Sequence, residues 1–255
     1  MEKISVIHEP TKQKPFLIIN KPKGLPSAPL AKDDFENAFC QAVKLFPQLL
    51  EVHGKKEIEH GLLHRLDTAT NGLIVIAATQ QCYDFLIAGQ ENGRFIKTYS
   101  AECDIINDNA KRLGGFPPDL PECKALGFEE TELVVSSYFR PFGEGRKQVR
   151  PVTEKSGKAA LLKLGKSKVY TTKITIKKVS ETNAVAKCTI AQGFRHQVRC
   201  HLAWAGFPVC EDRLYNSNFN SKSDFAKNNA QELLKFSATE VSFEFPKGFT
   251  NTFCL

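Results

Sequence analysis

The distribution of apolar and polar positions divides the chain into short strand-like runs separated by a few helical stretches. Phe16-Leu17-Ile18-Ile19-Asn20 is an apolar run stopped by Lys21-Pro22-Lys23-Gly24, which predicts a strand running into a loop. Asp34 is placed to cap a helix through about residue 45, with Phe35, Ala38, Phe39, Ala42, Val43 and Phe46 near the i, i+3, i+4 spacing and Pro47 closing it. Residues 73–78 form a buried strand in this reading, and Thr79 begins a second helix (Cys82, Phe85, Leu86, Ala88) that ends at Asn92-Gly93. Residues 96–102 alternate and predict a strand, as do residues 133–138, while residues 107–130 between them are irregular and rich in Gly and Pro.

Further along, residues 169–179 and 184–191 predict a strand pair turned by Glu181-Thr182-Asn183. Lys173, Lys177 and Lys187 alternate with Ile174, Ile176 and Val185, which gives the sheet one solvated face. Gly193 precedes a helix over about residues 195–205, stopped by Gly206 and Pro208, and residues 240–246 form a last strand. Many strands with few interspersed helices predict an α+β fold, with a largely antiparallel mixed sheet and flanking helices. No internal repeat or linker is visible, so a single domain over residues 1–255 is expected.

Composition changes this picture little. The chain has 255 residues, 42% of them hydrophobic and 25% charged, as in an ordinary globular protein. Its net charge of +7 points toward a polyanionic partner. The charge is concentrated between residues 140 and 158, where Arg140, Arg146, Lys147, Arg150, Lys155 and Lys158 face only Glu144 and Glu154. With Gly143, Gly145 and Gly157 in it, this segment reads either as a flexible loop for phosphate contact or as a solvated hairpin. Eight cysteines stand singly, without a Cys-x-x-Cys pair, so reduced thiols are expected rather than a disulfide framework or a zinc site. No run approaches the length of a membrane span and no leader pattern opens the chain, so a cytoplasmic protein without membrane association is expected.

Two stretches carry candidate chemistry. In Gly61-Leu62-Leu63-His64-Arg65-Leu66-Asp67, three ionisable groups fall within four residues, before a turn into an apolar strand. Asp67 is either a turn residue bonding the backbone near Thr68 or Ala69, or a nucleophilic or general-base carboxylate. In Phe194-Arg195-His196-Gln197-Val198-Arg199-Cys200-His201, a helix would set Arg195 and Arg199 one turn apart, with Val198, Leu202 and Ala205 as an apolar stripe behind. Either this is a surface helix with snorkelling arginines, or an arginine rooted on a buried helix delivers a fixed cation into a cleft, the reading that the packing implied by Leu202, Trp204 and Gly206-Phe207-Pro208 favours. His60 and His64 are four apart beside Glu59, but the order is not His-Glu-x-x-His and no third ligand is evident, so no metal is expected. No Walker loop, Gly-x-Gly-x-x-Gly or Gly-x-Ser-x-Gly is present, so neither a nucleotide cofactor nor a serine hydrolase is supported.

His64-Arg65-Leu66-Asp67-x-x-Thr70-x-Gly72-Leu73 resembles the catalytic motif of RluA-type pseudouridine synthases. The likeness continues in the family's order. It runs through Asn20-Lys21-Pro22-x-Gly24-Leu25, Lys97-Thr98-Tyr99-Ser100-Ala101 and Gly157-Lys158-Ala159-Ala160 to Gly193-x-x-His196-Gln197-Val198-Arg199-x-His201, Gly206-x-Pro208 and Asp212-x-Leu214-Tyr215. Asn71 stands where the family has Ser, and Phe194-Arg195 where it has Arg-Thr. Coverage is about residues 16–246, and the S4-type RNA-binding domain of many relatives is expected to be absent.

The resemblance implies isomerisation of uridine to pseudouridine in structured RNA, ribosomal or transfer, without cofactor or metal. It implies Asp67 as nucleophile, Arg199 as the cation that keeps Asp67 charged, and Tyr99 beside the base. Arg65 would fill the space of an extruded base or hold phosphate. With His64, Arg146, Lys147, Arg150, Lys158, Arg195 and His196, it would make up the RNA-binding set. A monomer is expected. The alternative is a non-catalytic RNA-binding or assembly factor on the same fold.

Overall fold

The computed structural model describes residues 2–106, 113–121, 126–162, 164, 168–219 and 234–255. These fall into two compact units, one of residues 1–98 with 237–255 and one of residues 99–236. Cys123, one of the eight cysteines, and part of the irregular 107–130 stretch lie outside the described residues. The chain passes between units inside a strand and at the start of another, which is why no Gly- or Pro-rich linker marks the boundary.

In the first unit, β1 (Ser5–His8) pairs antiparallel with β2 (Phe16–Lys21), and β2 pairs antiparallel with β3 (Asn71–Ala77). β2 and β3 are buried along almost their whole length, as their uninterrupted apolar runs require. One edge of β3 is shared. Asn71 and Gly72 pair in parallel with Ser237 and Ala238 of β9 (Phe236–Glu244), and further along Leu62 bridges Ile76. The chain before the expected nucleophile therefore runs back along β3, and residues 64–70 form the turn that enters it. β10 (Thr250–Cys254), which the sequence pattern did not reveal, pairs with β9.

Helix α2 (Gln80–Glu91) starts at Thr79, whose hydroxyl accepts the Cys82 N–H, and Cys82, Tyr83 and Leu86 join Phe16, Ile18, Val75 and Phe95 in the core. Helix α1 (Ala38–Leu45) starts later than expected. Asn37 is its cap, with Oδ1 accepting from Cys40 N at 2.9 Å, while Asp34 Oδ2 instead accepts from Leu30 N. Two cap-forming residues three apart compete here, and the fully buried Asn37 prevails.

The second unit contains the latter part of β4 (Phe95–Asp104), then β8 (Asn183–Ile190), β7 (Tyr170–Lys178), β5 (Thr131–Phe142) and β6 (Gln148–Val152) in spatial order. β5 pairs antiparallel with β7 and β6, and β7 antiparallel with β8. The α+β reading with a largely antiparallel sheet holds. The basic 140–158 segment is mostly a hairpin rather than a flexible loop, since Phe142 faces Gln148 across β5 and β6 and only residues 143–147 turn. A four-residue helix, α3 (Lys158–Leu161), follows.

Helix α4 (Gln197–Trp204) is shorter than expected and buried on every side. Its cap, His196, is left-handed with φ 56° and ψ 17°, so Arg195 lies outside the helix and is not one turn from Arg199 on a common face. The helix ends as expected, with Gly206 at φ 93°. Gly206 N donates to Ala203 O at 3.2 Å and Phe207 N to Leu202 O at 2.8 Å.

Gly72 is a position where only glycine fits. Its φ is 130°, and a Cβ built on it would meet the backbone carbonyl of Ala238, where β3 and β9 come together. Gly72→Ala should lower stability by at least about 2 kcal/mol. Thermal unfolding would register this as a fall of roughly 4–8 °C.

Candidate active site

The expected nucleophile sits on a turn held by backbone hydrogen bonds. Asp67 O accepts from Thr70 N at 3.0 Å, and Thr68 O from Gly24 N at 2.9 Å. Leu66, before it, is bound at both polar atoms by one side chain. Its N–H donates to Ser27 Oγ at 2.9 Å, and Ser27 Oγ donates to Leu66 O at 2.7 Å. Lys21, at the end of β2, is fully buried and donates to Pro22 O, Leu25 O and Thr68 O at 2.8, 2.7 and 3.2 Å. Burial lowers its pKa to about 8, and the Asp67 carboxylate opposes that shift. Asp67 itself is half-buried. Lys21 and Ser27 were not among the residues expected at the site. Lys21 was legible only as a member of the Asn20-Lys21-Pro22 run, and Ser27 carries no sequence signal.

His64 and Arg65 part company. The His64 ring is sequestered: Nε2 accepts from Val75 N at 3.3 Å, Nδ1 is buried without a partner, and Phe95 lies edge-on at 5.6 Å. Burial, and then the charge of Lys97, lowers its pKa to about 3, so the imidazole is neutral. His64 is therefore a structural residue of this turn and not the RNA contact expected of it. Arg65 is exposed, with Nη1 on Glu59 Oε1 at 3.1 Å, a pairing that water screens. His60 has partners of its own, Val52 O at 3.2 Å and the Phe39 ring at 5.7 Å.

In the second unit, Arg199 is 6% exposed and its fork is aligned on Asp212, with Nε to Oδ2 at 2.7 Å and Nη2 to Oδ1 at 2.8 Å. Asp212 Oδ1 also accepts from Leu214 N at 2.9 Å and Tyr215 N at 3.2 Å, so the carboxylate is well satisfied. The Tyr215 ring lies 5.3 Å from the Arg199 guanidinium. Its hydroxyl accepts from Val149 N at 2.9 Å and lies 3.0 Å from His196 Nδ1. Asp212 and Tyr215 were expected only as members of the last motif block, and the structure gives them the task of orienting Arg199 and His196. Tyr99 is buried and stacks on Phe236 at 5.1 Å, nearly parallel at 6°.

The expected basic set divides by burial. Arg146, Lys147, Lys158 and Arg195 are exposed. Arg195 Nη2 donates to Arg146 O and to Gln148 O at 3.2 Å, which ties the residue before α4 to the basic hairpin. Arg150 is a correction, being 2% exposed. Its guanidinium stacks on Phe142 at 4.2 Å and Phe116 at 4.7 Å and donates to Gly114 O and Val149 O. An arginine with its donors on carbonyls and its faces on aromatic rings is core structure, so it does not grip a phosphate. Among the described residues no group of His, Cys, Asp and Glu could hold a metal, and no helix is long and apolar enough to cross a membrane. The described cysteines are free thiols.

Solved structures define the class of fold. Human RNA pseudouridylate synthase domain containing 1 aligns with a TM-score of 0.62 at 15% identity, covering 100% of this chain and 83% of that one. Human RNA pseudouridylate synthase domain containing 4 gives 0.60 at 18%, covering 98% and 87%. The chain belongs to the RNA pseudouridylate synthase family, whose model matches residues 15–204, in the RluA-type group that its motifs resemble. It is similar to RNA pseudouridine synthase 7 of Arabidopsis thaliana, at 30% identity over 64% of this chain and 36% of that protein. It is also similar to the tRNA pseudouridine(31) synthase of Saccharomyces cerevisiae, at 26% over 80% and 45%. With the ribosomal large subunit pseudouridine synthase D of Neisseria meningitidis it shares 24% over 85% and 48%. The chain spans about half the length of these relatives or less.

Two predictions separate buried from exposed electrostatics. Asp212→Ala strands the buried Arg199 cation and should cost about 3–5 kcal/mol, while Glu59→Gln, which removes the exposed Arg65 pairing, should cost less than about 1 kcal/mol. Denaturant midpoints distinguish the two.

His201, like His64, makes stability depend on pH. It is fully buried between Ser137 Oγ at 2.9 Å and Thr172 Oγ1 at 2.8 Å, and burial lowers its pKa from 6.5 to about 3. Between those values the unfolded chain binds a proton that the folded one refuses, so stability falls as pH drops below 6.5. Between pH 7 and 5 this residue accounts for about 2 kcal/mol of loss. His201→Asn should be less stable at both pH values yet fall less between them. Equal falls would exclude His201 as a contributor.

Proposed function

We propose that this chain is an RNA pseudouridine synthase that isomerises a uridine in a structured tRNA or rRNA, with Asp67 as the nucleophile. The observation that carries the reading is the Asp67 turn. It is a half-buried carboxylate, its neighbours' backbone is fixed on both sides, and it stands at the head of a buried strand within a family-matched segment. A carboxylate on a rigid support is what covalent catalysis at a glycosidic carbon or an electrophilic ring carbon requires.

The reaction breaks the bond from C1′ to N1 and makes one from C1′ to C5. A proton leaves C5 and one is gained at N1, so the product has the mass of the substrate. Asp67 supplies the electron pair that carries the intermediate, at C1′ of the sugar or at C6 of the base. Arg199 serves as the counter-charge, and its orientation is set by Asp212. Tyr99, stacked on Phe236, is assigned to the base and to removal of the C5 proton.

A paired uridine must be extruded first, at a cost of a few kcal/mol. Arg65 suits that role because its exposed bond to Glu59 is weak enough to exchange. Arg146, Lys147, Lys158 and Arg195 supply exposed positive charge for the phosphate backbone. A tRNA or rRNA substrate is supported by the relatives, one of which is a tRNA and another a ribosomal large subunit pseudouridine synthase.

Two measurements test this. Carbodiimide mapping of cellular RNA with and without the protein should show at least one lost pseudouridine, and identical maps would refute the activity. With RNA tritiated at uridine C5, the protein should release tritium to water. Asp67→Asn should reduce release by at least about 10³-fold without weakening RNA binding. Undiminished turnover in that variant would exclude Asp67, and binding without turnover in the wild type would favour a non-catalytic RNA-binding factor.

A further inference from the structure

The segment that follows β2, Lys21-Pro22-Lys23-Gly24-Leu25-Pro26-Ser27, has no place in the reaction so far, yet it touches the backbone on both sides of Asp67. On the C-terminal side, Thr68 O receives Gly24 N at 2.9 Å and Lys21 Nζ at 3.2 Å. On the N-terminal side, Ser27 Oγ binds both the N–H and the carbonyl of Leu66, at 2.9 and 2.7 Å. The segment is itself anchored, since Ala38 N donates to Pro26 O at 2.8 Å and Phe39 N to Ser27 O at 3.1 Å, at the start of α1. Ser27 is 5% exposed and Leu66 is buried, so these bonds are shielded from competition with water.

Resting on the reading of Asp67 as nucleophile, we infer that Ser27 is a positioning residue for catalysis. Its hydroxyl fixes Leu66 and thereby aims the carboxylate of the next residue. A hydroxyl is one of the few groups that donate and accept through a single atom, and both directions are used here on one residue. With Leu66 held at both polar atoms and Thr68 O held from the other side, Asp67 has little freedom to swing on its backbone. None of these bonds uses the Asp67 carboxylate, so the clamp fixes direction without consuming the reacting group. Displacing a nucleophile by about 1 Å costs on the order of 10² in rate.

The test exchanges the hydroxyl at constant shape. Ser27→Thr keeps a group that both donates and accepts, Ser27→Val is its isostere without one, and Ser27→Ala removes the hydroxyl with the least added bulk. In the C5 tritium-release assay, Val and Ala should lower kcat roughly 10–100-fold with KM within about twofold, while Thr recovers most of the loss. A folded Ala or Val variant with the wild-type kcat would overturn the inference. So would a Thr variant that falls as far as Val, since the effect would then follow shape and not hydrogen bonding. Asp67→Asn, assayed alongside, keeps the two ideas apart. If it still turns over, the nucleophile assignment fails. If it is dead while Ser27→Ala is undiminished, only the clamp fails.

Discussion

A lysine ammonium with no access to water must bring its own solvation shell, and at Lys21 that requirement organises the end of β2. Its side chain is fully buried, and the shell consists of the carbonyls of Pro22, Leu25 and Thr68. Two of these belong to the segment just after the lysine and the third to the turn that carries Asp67. Burial pulls the ammonium toward neutrality, with its pKa lowered to about 8, and Asp67 pulls it back. Satisfying one charge thus brings together parts of the chain 47 residues apart in sequence. The strand, the following segment and the Asp67 turn cannot shift independently while that charge is held.

The second unit meets the same demand with a different arrangement. Arg199 and Asp212 are both buried, and a buried ion pair is tolerable only when geometry is good and the remaining lone pairs are used. Both conditions hold, because the fork is bidentate and Leu214 and Tyr215 donate their N–H groups to the same carboxylate. The chain after α4 therefore has to turn where it does. Tyr215 extends the network, since its hydroxyl accepts from Val149 on β6 and faces His196 at the head of α4. Helix α4, buried on every side, takes its position from these polar bonds together with its apolar packing.

How much of this was legible in the sequence depends on what kind of signal each feature leaves. Uninterrupted apolar runs gave away β2 and β3, because a strand buried on both faces has no polar alternation to confuse it. Thr79 marked the start of α2, but Asp34 did not mark that of α1, since Asn37 is equally able to cap and is the one that is buried. Helix α4 was misread as amphipathic. Its arginine and two of its polar side chains are consumed by buried partners, so hydropathy counts as polar a face that the fold treats as interior. Arg150 and His64 failed for the same reason, as residue type alone cannot separate a basic side chain stacked among rings from one that meets solvent. Asp67 and Arg199 were candidates by residue type and spacing that motif order singled out, while Tyr99 was visible only through motif order. Ser27 was invisible, because a serine earns its role from the one backbone residue it happens to face.

These two populations of charge change what the net charge of +7 means. Lys21, Lys97, Arg150 and Arg199 are interior cations that fix geometry and are held by carbonyls, rings or a carboxylate. Arg65, Arg146, Lys147, Lys158 and Arg195 face solvent. Only the second group should contribute to salt-dependent attraction for a polyanion, since only exposed cations exchange counterions with the solution. Removing an interior cation acts instead through the fold of its own unit, with little change in the steepness of salt dependence. Long-range attraction and local geometry thus fall to separate sets of basic residues, the exposed ones acting through solvent and the buried ones through the carbonyls, rings and carboxylate they hold.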